Sequence, residues 1–121
     1  MKLTKRKEAI QKNADKYADT RDKWINKNKY FYNDDYSYMR FLIDKSKRIL
    51  DLGCGTGDLL KVLEPSYGVG IDLSKKMIEI AQKKHPQLEF IHGDVEDSKL
   101  TSSIEGPFDY IILSDTIGYL D

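Results

Sequence analysis

The chain has 121 residues, a length that fits a single domain with a moderate core. Its 20 basic and 20 acidic residues cancel, and lysine outnumbers arginine 16 to 4, so neither a nucleic acid nor an anionic membrane is expected as the main partner and clustered phosphate-gripping guanidiniums are absent. A single cysteine, Cys54, excludes an internal disulfide framework, and neither a secretory signal nor a membrane-crossing apolar run is present, which together predict a cytoplasmic protein.

In chain order, residues 1–46 are lysine-rich and read as helical, with Leu3, Ile10, Ala14 and Tyr17 at spacings of three, four and seven. Seven of the thirteen aromatic residues fall between Trp24 and Phe41. From Lys47 the texture changes to strands alternating with helices. Arg48–Leu52 is an apolar strand, and 57–63 a short helix that stops before Pro65. Tyr67–Asp72 is a second strand, after which Ser74 suits the N-cap of a helix over Lys75–Lys84. A third strand is expected at 88–92 and a fourth at 108–113, whose nearly unbroken apolar run predicts cover on both faces. The polar 93–107 connection has room for a short helix only. Strands separated by helices point to right-handed βαβ units, hence an α/β fold with a Rossmann-like parallel sheet and helices on both faces.

The chemistry concentrates where strands end. Ile-Leu-Asp-Leu-Gly-Cys-Gly-Thr-Gly-Asp-Leu-Leu at 49–60 is a strand carrying one acid, Asp51, that breaks into alternate glycines, Gly53, Gly55 and Gly57, before a helix start. Asp72 closes the second strand in Gly-Val-Gly-Ile-Asp-Leu-Ser, nineteen residues beyond Gly53, where a carboxylate can accept from a ribose diol. Gly93-Asp94-Val95 follows the third strand, and Ser114-Asp115 the fourth.

The 49–60 stretch resembles the first motif of class I S-adenosylmethionine (SAM)-dependent methyltransferases, Asp-x-Gly-x-Gly-x-Gly, at every defined position. The resemblance covers roughly residues 47–120 and implies strands one to four of a seven-strand sheet, in order 3-2-1-4, preceded by N-terminal helices. It divides the chain into a helical cap or lid at 1–46 and a SAM-binding half-domain at 47–121, with the later strands missing. It implies that Asp51 holds the cofactor's ammonium, that Gly53, Cys54, Gly55 and Gly57 form the floor beside a helix N-terminus, and that Asp72 takes the ribose. Asp94, with Gly93 and the Val95 N–H, would read the adenine edge. Leu73 and Met77 either flank the adenine or simply pack. Ser114 borders the amino end, and Asp115 contacts the ammonium, orients the acceptor or faces solvent.

The implied activity is transfer of the sulfonium methyl by in-line displacement, with S-adenosylhomocysteine as product and a small molecule as acceptor. No residue announces itself as catalytic. A nicotinamide dinucleotide enzyme is the nearest competitor, but its glycine pattern needs Gly or Ala where Asp58 stands, an acid beside the pyrophosphate. A SAM-binding module without turnover is the reading from a different class. His85 reads as a helix-end residue and His92 as a packed one; with a single cysteine they do not form a metal site. Strand 108–113 would be an uncovered sheet edge, which predicts self-association.

Overall fold

The computed structural model describes residues 2–114. A 23-residue helix, α1 (Lys5–Lys27), starts at Thr4, whose hydroxyl accepts the Lys7 N–H, and runs to Asn28. There the helical segment breaks. The Asn28 side chain bonds the Trp24 carbonyl at 2.9 Å, and a second helix, α2 (Lys29–Leu42), carries on to the buried anchor Ile43. The sheet region follows as β1 (Arg48–Leu52), α3 (Asp58–Val62), β2 (Tyr67–Asp72), α4 (Lys75–Lys84), β3 (Glu89–His92), α5 (Ser98–Ser103) and β4 (Tyr110–Leu113). β3 and β4 begin one and two residues later than the apolar runs suggest. Ser74 caps α4 as expected, accepting the Met77 N–H at 3.2 Å.

All pairings are parallel and the order is β3-β2-β1-β4. Strand alternation sends side chains to two faces. Ile49, Phe90, Tyr110 and Ile112 join Cys54, Leu60, Leu63, Ile78 and Ala81 under α2, α3 and α4. Leu50, Val69, Ile71 and Ile91 face the other way, where Leu100 and Ile104 of the α5 connection cover them. This second layer is thin. Ile111 is 62% exposed and Leu113 47%, so β4 is covered on one face only, contrary to the two-sided cover its apolar sequence suggested. α5 is six residues long and leaves the outer face of β4 uncovered.

Arg48 closes the amino-terminal edge of the sheet. Its guanidinium lies 4.5 Å from the Tyr67 ring centre and donates to the carbonyls of Pro107 and Glu105 at 2.8 and 2.9 Å. The carboxyl edge is left to α1, which packs along α4 and crosses the strand ends.

Its inward side is only partly the apolar stripe Leu3, Ile10, Ala14 and Tyr17, of which the first three are half-buried. Tyr17 is half exposed, and the residues turned to the sheet are Lys7, Gln11, Asp15, Ala18 and Asp22. The reason is chemical: strand ends present carbonyls and carboxylates, and a helix lying over them must supply polar partners. Trp24, on the same helix, is 59% exposed.

Candidate cofactor site

The glycine turn takes its shape from three left-handed residues, Gly53 (φ 83°), Gly55 (φ 56°) and Gly57 (φ 85°), a backbone region that side chains disfavour. Most of its N–H groups are spent internally. Those of Gly53 and Cys54 donate to the Ile71 carbonyl, that of Gly57 to the Cys54 carbonyl, and that of Gly55 to Asp72 Oδ2 at 2.9 Å. The turn therefore offers a ligand room rather than a row of amide donors. α3, at five residues, also has too few aligned peptides for the strong N-terminal field that the motif implied.

Asp72 is held at both oxygens, by Gly55 N–H and by Ser74 N–H at 2.9 Å each, which aims the carboxylate at the space above the turn. That space is a cavity of about 590 Å³ bounded by Gly55, Asp72, Leu73 and Met77 from the sheet side and by Ile10 and Tyr17 from α1. Leu73 and Met77, expected either to flank adenine or to pack, are both buried and packed, and both also wall the cavity.

A second cavity of about 450 Å³ lies toward β4, with Asp51, Gly53, Thr56 and Ser114 on its floor and Phe31, Tyr32, Tyr36 and Met39 of α2 above. Asp51 is fully buried and accepts the Ser114 hydroxyl at 2.5 Å. Burial and the neighbouring Asp58 push the Tyr36 phenol up to about 12. Asp115 lies outside the described residues.

Other predicted residues are placed elsewhere. The Cys54 thiol faces the core, where Phe90 packs and where a Cβ on Gly70 would come within 2.8 Å of its sulfur; burial, then the Asp72 and Asp51 charges, raise its pKa and keep it neutral. Its thiol also donates to the Gly55 carbonyl at 3.6 Å, and the residue lines the second cavity. Gly93 is buried against Leu100, and its N–H donates to the Asp72 carbonyl. Val95 packs in the second core layer.

Asp94 is buried, but both of its oxygens accept from Lys7 Nζ, at 3.1 and 3.0 Å, and it does not border the cavity. Burial opposes the Lys7 charge, yet hydrogen bonds to Glu96 and Asp94 outweigh it and raise the pKa. His85 ends α4 with Nε2 3.0 Å from Asp58, which also accepts from Lys84 at 2.7 Å; the acid held against a dinucleotide is thus already neutralised by α4. His92 Nε2 sits 3.0 Å from the Leu73 carbonyl, a packed position.

Sequence reasoning missed Lys7 and Arg21, both in α1. Arg21 lines both cavities, and a Cβ on Gly55 would fall 2.9 Å from its Nε. A basic amino-terminal run gives no hint of which cation turns inward.

With two carboxylates, one guanidinium and a glycine cradle at the carboxyl end of a parallel sheet, the comparisons with known proteins fall into place. A family profile described as "Methyltransferase domain" matches residues 49–121, more than half of the chain. The chain belongs to the class I SAM-dependent methyltransferase family. It is 35% identical over 85 residues to a malonyl-[acyl-carrier protein] O-methyltransferase of Halalkalibacterium halodurans, covering 64% of this chain and 31% of that protein.

It is 33% identical over 78 residues to a ribosomal protein L11 methyltransferase of Thermotoga neapolitana, covering 62% of this chain and 29% of that protein. Among solved structures, a TehB-like SAM-dependent methyltransferase from Corynebacterium glutamicum superimposes with a TM-score of 0.57 at 25% identity, over 71% of this chain and 47% of that one. This chain thus spans about a third of the length of the two curated relatives. Its strand order and parallel pairing are those expected for the first four strands of this family's sheet. Among the described residues no helix is long and apolar enough to cross a membrane.

Proposed function

We propose that this chain binds SAM at the glycine turn and belongs to an enzyme that methylates a small molecule. The observation that carries the reading is the 2.9 Å bond from Gly55 N–H to Asp72 Oδ2, which fastens the glycine cradle to the one carboxylate facing the larger cavity. The residues suit the cofactor group by group. Asp72, a carboxylate on the cavity wall, is an acceptor that suits a ribose diol. Leu73 and Met77 provide an apolar wall for adenine. The buried Asp51, oriented by Ser114, suits an ammonium, and the Arg21 guanidinium suits a carboxylate. The cofactor supplies a methyl group on a sulfonium, so the protein's task is to orient an acceptor in line with it and to exclude water.

The cavity under α2 supports a small acceptor: about 450 Å³ lies within the range of small-molecule sites, and its walls mix aromatic, apolar and acidic side chains. In this reading residues 1–46 form a cap over the half-domain 47–121. A SAM-binding module without turnover is the second reading.

Calorimetric titration with S-adenosylhomocysteine, using NADH as the comparison ligand, tests the cofactor. Saturable binding of S-adenosylhomocysteine alone is expected; a folded chain that binds neither, or NADH instead, overturns the reading. Methyl release from SAM in the presence of candidate acceptors then separates an enzyme from a module.

A further inference from the structure

α2 spends its aromatic residues on a cavity wall rather than on the core. No residue of this helix is fully buried, yet Phe31, Tyr32 and Tyr36 all line the cavity of about 450 Å³ that has Asp51 on its floor. Helical spacing sets Tyr32 beside Tyr36 and Phe31 beside Asp35, in two adjacent rows. The rings meet in series. Phe31 stands edge to face with Tyr32, their centres 5.4 Å apart, and Tyr32 lies 6.1 Å from Tyr36 at a tilt of 49°. Phe31 is 71% exposed, which puts it at the mouth.

The charge around this wall is mostly of one sign. Asp35 from α2, Asp51 from β1 and Asp58 from α3 line the same cavity, and among the described lining residues Arg21 is the one cation. Arg21 stands at the glycine turn, where a Cβ on Gly55 would come within 2.9 Å of it. Asp58 is matched from α4 by Lys84 and His85, and Asp51 accepts the Ser114 hydroxyl. Asp35 is therefore the carboxylate that belongs with the aromatic wall. An aromatic face is electron-rich and a carboxylate beside it adds a full negative charge, so an anionic occupant is repelled and a cationic one is drawn in.

We propose that the cavity under α2 holds its acceptor by a protonated amine, seated against Phe31, Tyr32 and Tyr36 with Asp35 as counter-ion. The inference rests on the acceptor reading above and deepens it by naming the acceptor's class, small amines. Asp51, on the floor, is left for the cofactor's ammonium.

The test uses the whole chain and three probes of one shape: benzylammonium, benzyl alcohol and benzoate. Each is titrated at neutral pH, with two-dimensional NMR as the readout, into the chain alone and into the chain saturated with S-adenosylhomocysteine. Benzylammonium is expected to shift the ring signals of Phe31, Tyr32 and Tyr36 saturably in both, with an affinity about tenfold above that of the alcohol and further above that of benzoate. Asp35→Asn is expected to weaken benzylammonium about three- to fivefold, the span of an exposed ion pair, and to leave the alcohol unchanged.

No binding of benzylammonium, equal or tighter binding of the alcohol or benzoate, or an Asp35→Asn chain that keeps the full preference overturns the proposal while S-adenosylhomocysteine binding leaves the cofactor site standing. Displacement of benzylammonium by S-adenosylhomocysteine also overturns it, because the amine then sits in the place of the cofactor's own ammonium. If S-adenosylhomocysteine fails to bind the folded chain, the cofactor reading falls and the acceptor assignment with it.

Discussion

Asp72 accepts one backbone N–H on each oxygen and borders the larger cavity. The same side chain therefore holds the glycine turn and walls the cavity. Asp72→Ala is expected to weaken S-adenosylhomocysteine binding by about 1.5–3 kcal/mol, the range for hydrogen bonds to a charged group. It should also lower the thermal midpoint, because the Gly55 and Ser74 N–H groups lose their partner. An unchanged affinity in a folded variant would remove Asp72 from the site.

Asp51, Asp72 and the three glycines were legible in the sequence because a strand end, a turn and a second strand end lie within two dozen residues, and the turn's conformation selects glycine directly. Lys7 and Arg21 were not. Lys7 meets Asp94 across 87 residues of chain, and nothing in a run of lysines distinguishes the one that turns inward. Asp94 was readable as an acid after a strand, but its engagement by that lysine was not.

At the scale of elements, β1, β2 and α4 could be bounded from apolar runs, the Ser74 cap and the proline that follows His85. α1 could be recognised as a helix, but its inward face could not. Hydrophobic periodicity finds the side of a helix that meets an apolar core, and α1 instead meets strand ends rich in carbonyls and carboxylates. The break at Asn28 was invisible for a related reason, since a side-chain bond to the Trp24 carbonyl makes it without proline or glycine.

Between β1 and β2 the packing is tight enough to predict a substitution. A Cβ on Gly70 would stand 2.8 Å from both Cys54 Sγ and Phe90 Cδ1, in the middle of a strand whose neighbours cannot yield easily. Gly70→Ala is expected to destabilise the fold by about 1–3 kcal/mol in chemical denaturation. Adding Cys54→Ala should recover part of the loss by vacating the sulfur's place. A Gly70→Ala chain as stable as the parent would show that the glycine turn shifts freely, which would undercut its role as a fixed cradle.

Over the whole molecule, the two faces of the sheet are unequally covered. Three helices shield one face and a six-residue helix shields part of the other, leaving Ile111 and Leu113 at 62% and 47% exposure beside one another on β4. Apolar side chains on an outer strand favour pairing with a second chain. We expect a concentration-dependent rise in mass by light scattering, abolished by Ile111→Lys with Leu113→Lys. A parent chain that stays monomeric at high concentration would count against it. The sequence indicated an uncovered edge but not an uncovered face, because the reach of α5 depends on where the polar 93–107 connection folds, and composition does not determine that.

Trp24, the sole tryptophan, sits on the outer side of α1 rather than in the core. Its fluorescence is accordingly blind to the sheet and attentive to the helix that carries it. Circular dichroism follows the strands and helices together, whereas indole emission follows α1. Recording both during rapid unfolding would time the loss of α1 separately from that of the body beneath it, with no dye attached to the protein.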